Sequence, residues 1–163
     1  MIRAGKLMRS YQSRQAFNKG LTIMLLTSTA LRVCFENSVG RIMEHPDGYA
    51  YVVYHAGPRK LEHFQVFLTQ VSQLLHRQGW RKLLGDQRLM APFTEEERLW
   101  IVDYWLMRST VGSQVYGAVL VPHDVFARLS VSQMISEARE AALTYRLFDN
   151  EFEASSWLRQ LPI

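Results

Sequence analysis

One cysteine, Cys34, stands in a chain of 163 residues, so no internal disulfide can form and nothing points to an oxidising compartment. A cytoplasmic address is expected. No apolar run approaches the ~18 residues that a membrane span requires, and none is expected. Glycine is sparse and scattered: Gly79, Gly85, Gly112 and Gly117 stand alone, without the Gly-x-Gly-x-x-Gly or Walker spacing that cradles phosphates. The five histidines, His45, His55, His63, His76 and His123, contain no i, i+4 pair and have no cysteine beside them. Neither a metal nor a cofactor is expected. Ser155 and Ser156 lack a nucleophile elbow, and Cys34 falls in a strand-like run where burial is expected to keep it inert.

Acid is missing from the first 20 residues, which hold Arg3, Lys6, Arg9, Arg14 and Lys19. Removing these five from the 19 basic residues leaves 14 against 15 acids, so the net charge of +4 belongs to the start of the chain and the rest is nearly neutral. A nucleic-acid binder concentrates Lys and Arg on one face of its fold, and no such concentration is present. The basic start is followed by Leu21-Thr22-Ile23-Met24-Leu25-Leu26, which resembles the opening of a secretory signal but is short and interrupted by Thr and Ser. In Leu31-Arg32-Val33-Cys34 a charge stands where a lipoprotein cleavage box needs a small residue. Residues 1–28 read as a disordered leader or an extension, with Met24 as an alternative natural start, and 29–163 as one domain.

What is present is a repeating alternation of β-branched runs, polar turns and amphipathic stretches. Leu31–Phe35 and Arg41–His45 flank Asn37-Ser38-Val39-Gly40 as a hairpin, and Pro46-Asp47-Gly48 turns into a third strand over Tyr49–His55. Residues 60–78 set Leu61, Phe64, Phe67, Leu68, Val71, Leu74 and Leu75 on one helical stripe that Gly79 ends. Lys82–Gly85 reads as a buried strand running into Asp86-Gln87-Arg88, and Thr94-Glu95-Glu96-Glu97 as a capping box that opens a helix to about Ser109. Gln114–Val121 is an apolar strand, Pro122-His123-Asp124 leads into a helix carrying Phe126, Leu129, Met134, Ile135, Ala138 and Ala142 inward, and Tyr145–Phe148 precedes a last helix with Phe152, Trp157, Leu158 and Leu161. The expected fold is α/β, an antiparallel β meander leading into a mostly parallel sheet with helices packed on it.

This order, with Gly48–Tyr54 as a meander strand, Tyr116–Val121 as a central strand, and Tyr145–Asp149 followed by Glu153-Ala154 and Trp157-Leu158, resembles the STAS-like family over roughly residues 31–161. That family includes the bacterial anti-sigma-factor antagonists and shares its layout with the CRAL-TRIO lipid-transfer domains. The resemblance implies a regulatory, non-catalytic role. It does not carry a phosphoswitch, because the region matching the phosphorylated serine, Gly85–Thr94, contains no serine and Thr94 is engaged as a cap.

Ligands of parallel sheets gather beyond the carboxyl ends of strands, which would bring together Asp86, Arg88, His123, Asp124 and Asp149. Such a group could hold an anion or move protons, yet Asp124 and Asp149 suit helix caps and Arg88 suits an ion pair, so no catalytic residue is assigned. Leu99-Trp100-Ile101-Val102-Asp103-Tyr104-Trp105-Leu106-Met107 spreads apolar side chains round most of a helix. Either neighbouring elements cover both faces, or Trp100, Tyr104 and Met107, or Ile101 and Trp105, form an exposed patch for a protein partner, a second copy of the chain or an apolar ligand. The leading expectation is a protein-interaction module, and the alternative is a carrier for a small apolar or lipid-like molecule.

Overall fold

Two tight turns set up the meander. Asn37 N–H donates to the Gly40 carbonyl at 3.0 Å while its Oδ1 accepts from Val39 N–H at 2.9 Å, folding β1 (Arg32–Glu36) back on β2 (Gly40–His45). Gly48, at φ 81°, then allows the turn into β3 (Tyr49–Tyr54). The structure is a computed structural model and describes residues 30–106, 114–138 and 143–162. The chain divides into two units, Met1–Leu31 and Arg32–Ile163, and the sheet and its helices belong to the second.

After β3 the chain alternates: α1 (Leu61–Gln78), β4 (Lys82–Asp86), α2 (Glu95–Trp100) with a π-helical segment (Ile101–Leu106), β5 (Val115–Leu120), α3 (Val125–Ala138), β6 (Leu143–Phe148) and α4 (Glu151–Gln160). The six strands lie in sequence order, β1 to β3 antiparallel and β3 to β6 parallel. This is the expected α/β fold. Right-handed crossovers between sequential parallel strands put every connecting helix on the same face. Accordingly Phe64, Phe67 and Val71 of α1, Ile101, and Val131 and Met134 of α3 pack with Val52, Leu83 and Val119 in one core. Among the described residues only α4, which follows the last strand, covers the other face, where Ala154 and Leu158 meet Tyr49, Tyr51, Leu84 and Leu120.

Each face has a buried cation that ties it together. On the three-helix face Arg59 forms a bidentate pair with Glu97, Nε to Oε1 at 2.9 Å and Nη2 to Oε2 at 2.6 Å, and also donates to the carbonyls of Ala91 and Pro92. Glu97 at the same time completes the capping box with Thr94, as the sequence implied. On the other face Lys82 Nζ donates to the carbonyls of Leu158 and Leu161 at 2.9 and 2.8 Å, filling acceptors that the end of α4 leaves open.

Several expectations are corrected. Phe126 and Leu129 do not point inward: they are 73% and 63% exposed, and the buried stripe of α3 is Ala127, Val131 and Met134. At about 100° per residue Leu129 falls opposite that stripe and Phe126 on its flank, and the apolar residues of this helix are too widely spread to mark one inner face. The side chain of Ala138 and residue Ala142 lie outside the described residues. The helix after Thr94 does not run as one α-helix towards Ser109, because it changes to π-helical at Ile101 and its described part ends at Leu106. Asn150, one residue beyond Asp149, caps α4 by accepting from Glu153 N–H at 2.9 Å. Cys34 is exposed on β1, an edge strand among the described residues, and partial desolvation of its sulfur together with nearby Glu44 raises the thiol pKa.

Candidate functional site

The carboxyl ends of β4 and β5 meet where His123 N–H donates to the Arg88 carbonyl at 3.0 Å. Parallel strands in register dictate this junction, because Asp86 ends β4 opposite Leu120 at the end of β5. Asp86, 8% exposed, holds the Arg88 guanidinium through Nε to Oδ1 at 2.9 Å and Nη2 to Oδ2 at 2.7 Å. Donating to the Asp86 carboxylate raises the Arg88 pKa further, so the guanidinium keeps its charge. Asp124 Oδ1 accepts from Ala127 N–H at 2.7 Å and is the cap of α3. His123 is exposed and is joined to the cluster through its backbone alone among these bonds. The four residues are thus brought to one edge, with both carboxylates already engaged.

Two further groups complete that edge on the α4 side. Tyr51 donates its hydroxyl to Glu151 Oε2 at 3.1 Å, and burial first, then the Glu151 carboxylate, push the phenol pKa well up. Tyr51 therefore stays a protonated donor. No sequence signal singled out this pair, which is 100 residues apart along the chain and meets only because α4 folds back over β3. Around the edge several large apolar side chains stand in solvent: Leu89 at 63% in the loop after β4, Val125 at 64% and Phe126 at 73% in the first turn of α3, and Phe152 at 77% beside Glu151.

In the described part of the aromatic stretch the side chains are unevenly covered, with Leu99 49% exposed. Ile101 is 6% exposed and belongs to the core; Trp100 is half-buried, edge-on to Phe64 at 6.3 Å and stacked on Tyr104 at 4.8 Å. The side chain of Trp105 and residue Met107 lie outside the described residues.

Beneath the helices lies an apolar cavity of about 90 Å³. Val52, Gly85 and Val119 form its floor, Val71, Ile101 and Met134 its walls. Gln87 also lines it, 9% exposed, and its Oε1 accepts no hydrogen bond among the described residues. Sequence reading passed over Gln87 as a loop residue, although alternation along β4 aims residues 83, 85 and 87 at the same face.

Among the described residues there is no group of three His, Cys, Asp or Glu arranged to hold a metal ion, and no helix long and apolar enough to cross a membrane. No protein-family model, curated protein or solved structure matches this chain.

Proposed function

We propose that the chain is a non-catalytic, STAS-like regulatory module that binds a partner protein at the carboxyl edge of its parallel strands. The observation that carries this reading is that exposed Leu89, in the loop after β4, and exposed Val125 and Phe126, in the first turn of α3, follow directly on the two residues joined by the His123 to Arg88 hydrogen bond. Large apolar side chains clustered on an exposed rim mark a surface that is covered in use. The engaged state of Asp86 and Asp124 supports the non-catalytic part, since a carboxylate held by a guanidinium or a helix terminus is a poor proton carrier. The ion pair beside the apolar rim would orient the partner, as charged groups at such rims fix register more than affinity.

A photo-reactive phenylalanine analogue placed at position 126 tests this in the producing cell, with the same analogue at exposed Gln73 on α1 as control. A discrete cross-linked protein from position 126, absent from position 73 and lost on adding Leu89→Ser and Val125→Ser, is the expected result. Equal labelling from both positions, or none from 126, overturns the reading. The mass of the adduct separates a second copy of the chain from another protein.

A further inference from the structure

We infer that the cavity beneath the three helices is a binding site for a small one-ring molecule bearing a hydroxyl, a phenol by chemical class, with Gln87 as its polar anchor. Buried amide oxygens in folded proteins almost always accept a hydrogen bond, so one that does not, in a residue lining a cavity, is met by whatever enters that cavity. Gln87 Oε1 is such an atom. The remaining lining is dominated by aliphatic and aromatic side chains, which would leave a charged ligand unpaired and favours an apolar body with one polar group. A hydroxyl serves either orientation of the Gln87 amide, donating to Oε1 or accepting from Nε2.

Size decides against an acyl chain. An engineered cavity of roughly 150 Å³ takes benzene. The cavity here is smaller, about 90 Å³, so a single ring enters it only in part, with the remainder at its mouth, and a long chain has no room within it. Two glycines shape it. Gly85 stands in the middle of β4, where a β-branched residue would be usual, and a Cβ there would come no nearer than 4.0 Å to Ala118 O and Gln87 Nε2. The missing side chain therefore keeps space open that packing alone does not require. Gly117 lets the Tyr145 ring lie flat on β5, since any Cβ would strike the ring, and so supplies an aromatic part of the lining.

The inference is independent of the edge surface, because the cavity lies under the helices and none of the exposed rim residues lines it. Its test is a titration of the full chain, followed by amide chemical shifts, with phenol and with toluene. Phenol is expected to bind saturably, shifting Gly85, Gln87, Val119 and Val131, and about fivefold more tightly than toluene because of one added hydrogen bond. Gln87→Leu, of similar volume, is expected to fold and to reverse that preference. Gly85→Val fills the floor and is expected to weaken both probes by about tenfold or more. Shifts that do not saturate, equal affinity for the two probes in the native chain, or a phenol preference that survives Gln87→Leu would overturn the assignment. Should Gly85→Val fail to fold, Gln87→Leu decides alone.

Discussion

The two faces of the sheet solve the same problem with different chemistry. Among the described residues three helices cover one face and a single helix the other, and each face is fastened by one buried cation. Arg59 is matched to a carboxylate, with both side chains about 97% covered, whereas Lys82 meets only the carbonyls at the end of α4. A guanidinium bound at both of its edges fixes the orientation of what it joins, here α2 against the loop before α1. An ammonium at a helix terminus needs no charged partner, because the aligned peptide dipoles already present negative charge there. The three-helix face therefore depends on two residues that must both be present. The α4 face depends on one.

Breaking the stronger fastening should have the larger effect. Arg59→Met leaves Glu97 charged and buried without its partner, and removing one member of such a pair costs about 3–5 kcal/mol. Urea denaturation is expected to show a loss in that range, with Glu97→Met partly offsetting it in the double variant. Recovery would be incomplete, since Glu97 also accepts from Thr94 N–H at 3.0 Å and closes the helix cap. A loss below about 1 kcal/mol for Arg59→Met would mean that water reaches the pair.

Lys82→Met sharpens the contrast. It removes two hydrogen bonds from a charged donor, but the Leu158 carbonyl still accepts from Leu161 N–H, so the expected cost is about that of one such bond, roughly 1.5–3 kcal/mol. Because no opposite charge is stranded, the loss should fall short of that for Arg59→Met, and hydrogen exchange should quicken first at the last turn of α4. Smaller still is Asp124→Ala, which removes the cap of α3 and should cost about 1 kcal/mol by the same denaturation measurement. His123→Ala, on the exposed neighbour, should leave stability nearly unchanged.

The fold was legible where a local rule decides it. Phe64, Phe67, Val71 and Leu74 repeat at helical spacing, Gly79 ends α1 at φ 65°, and Thr94 with Glu97 forms the capping box. Each of these depends on neighbours a few residues away. The Arg59 to Glu97 pair spans 38 positions and the Tyr51 to Glu151 pair 100, and nothing in either residue's surroundings names its partner. The inner face of α3 was hidden for a different reason, as Val125, Phe126 and Leu129 put large apolar side chains on its outer face among Arg128, Ser132 and Gln133. Of the candidate edge, Asp86, Arg88, His123 and Asp124 were legible from strand ends alone. The exposed rim and unpaired Gln87 emerge only once the helices are in place.

The smallest effect concerns a neutral ring at the border of the α4 face. His45 stacks on Tyr49 at 4.1 Å, and its Nδ1 accepts from Asp47 N–H at 3.1 Å, a bond that the neutral ring alone can make. Burial lowers its pKa from the ordinary 6.5; Asp47 and Glu151 oppose that shift and Arg159 reinforces it. Protonation therefore occurs at higher pH in the unfolded chain than in the folded one. As pH falls below about 6.5 the unfolded chain takes up the proton first, and stability declines until the folded ring also titrates. Below that lower value the loss is constant. Thermal denaturation between about pH 7 and 5 should thus show a steeper decline for the native chain than for His45→Phe, which retains a ring on Tyr49 but cannot titrate. Identical slopes would mean that Asp47 holds the protonated ring as well as its backbone holds the neutral one.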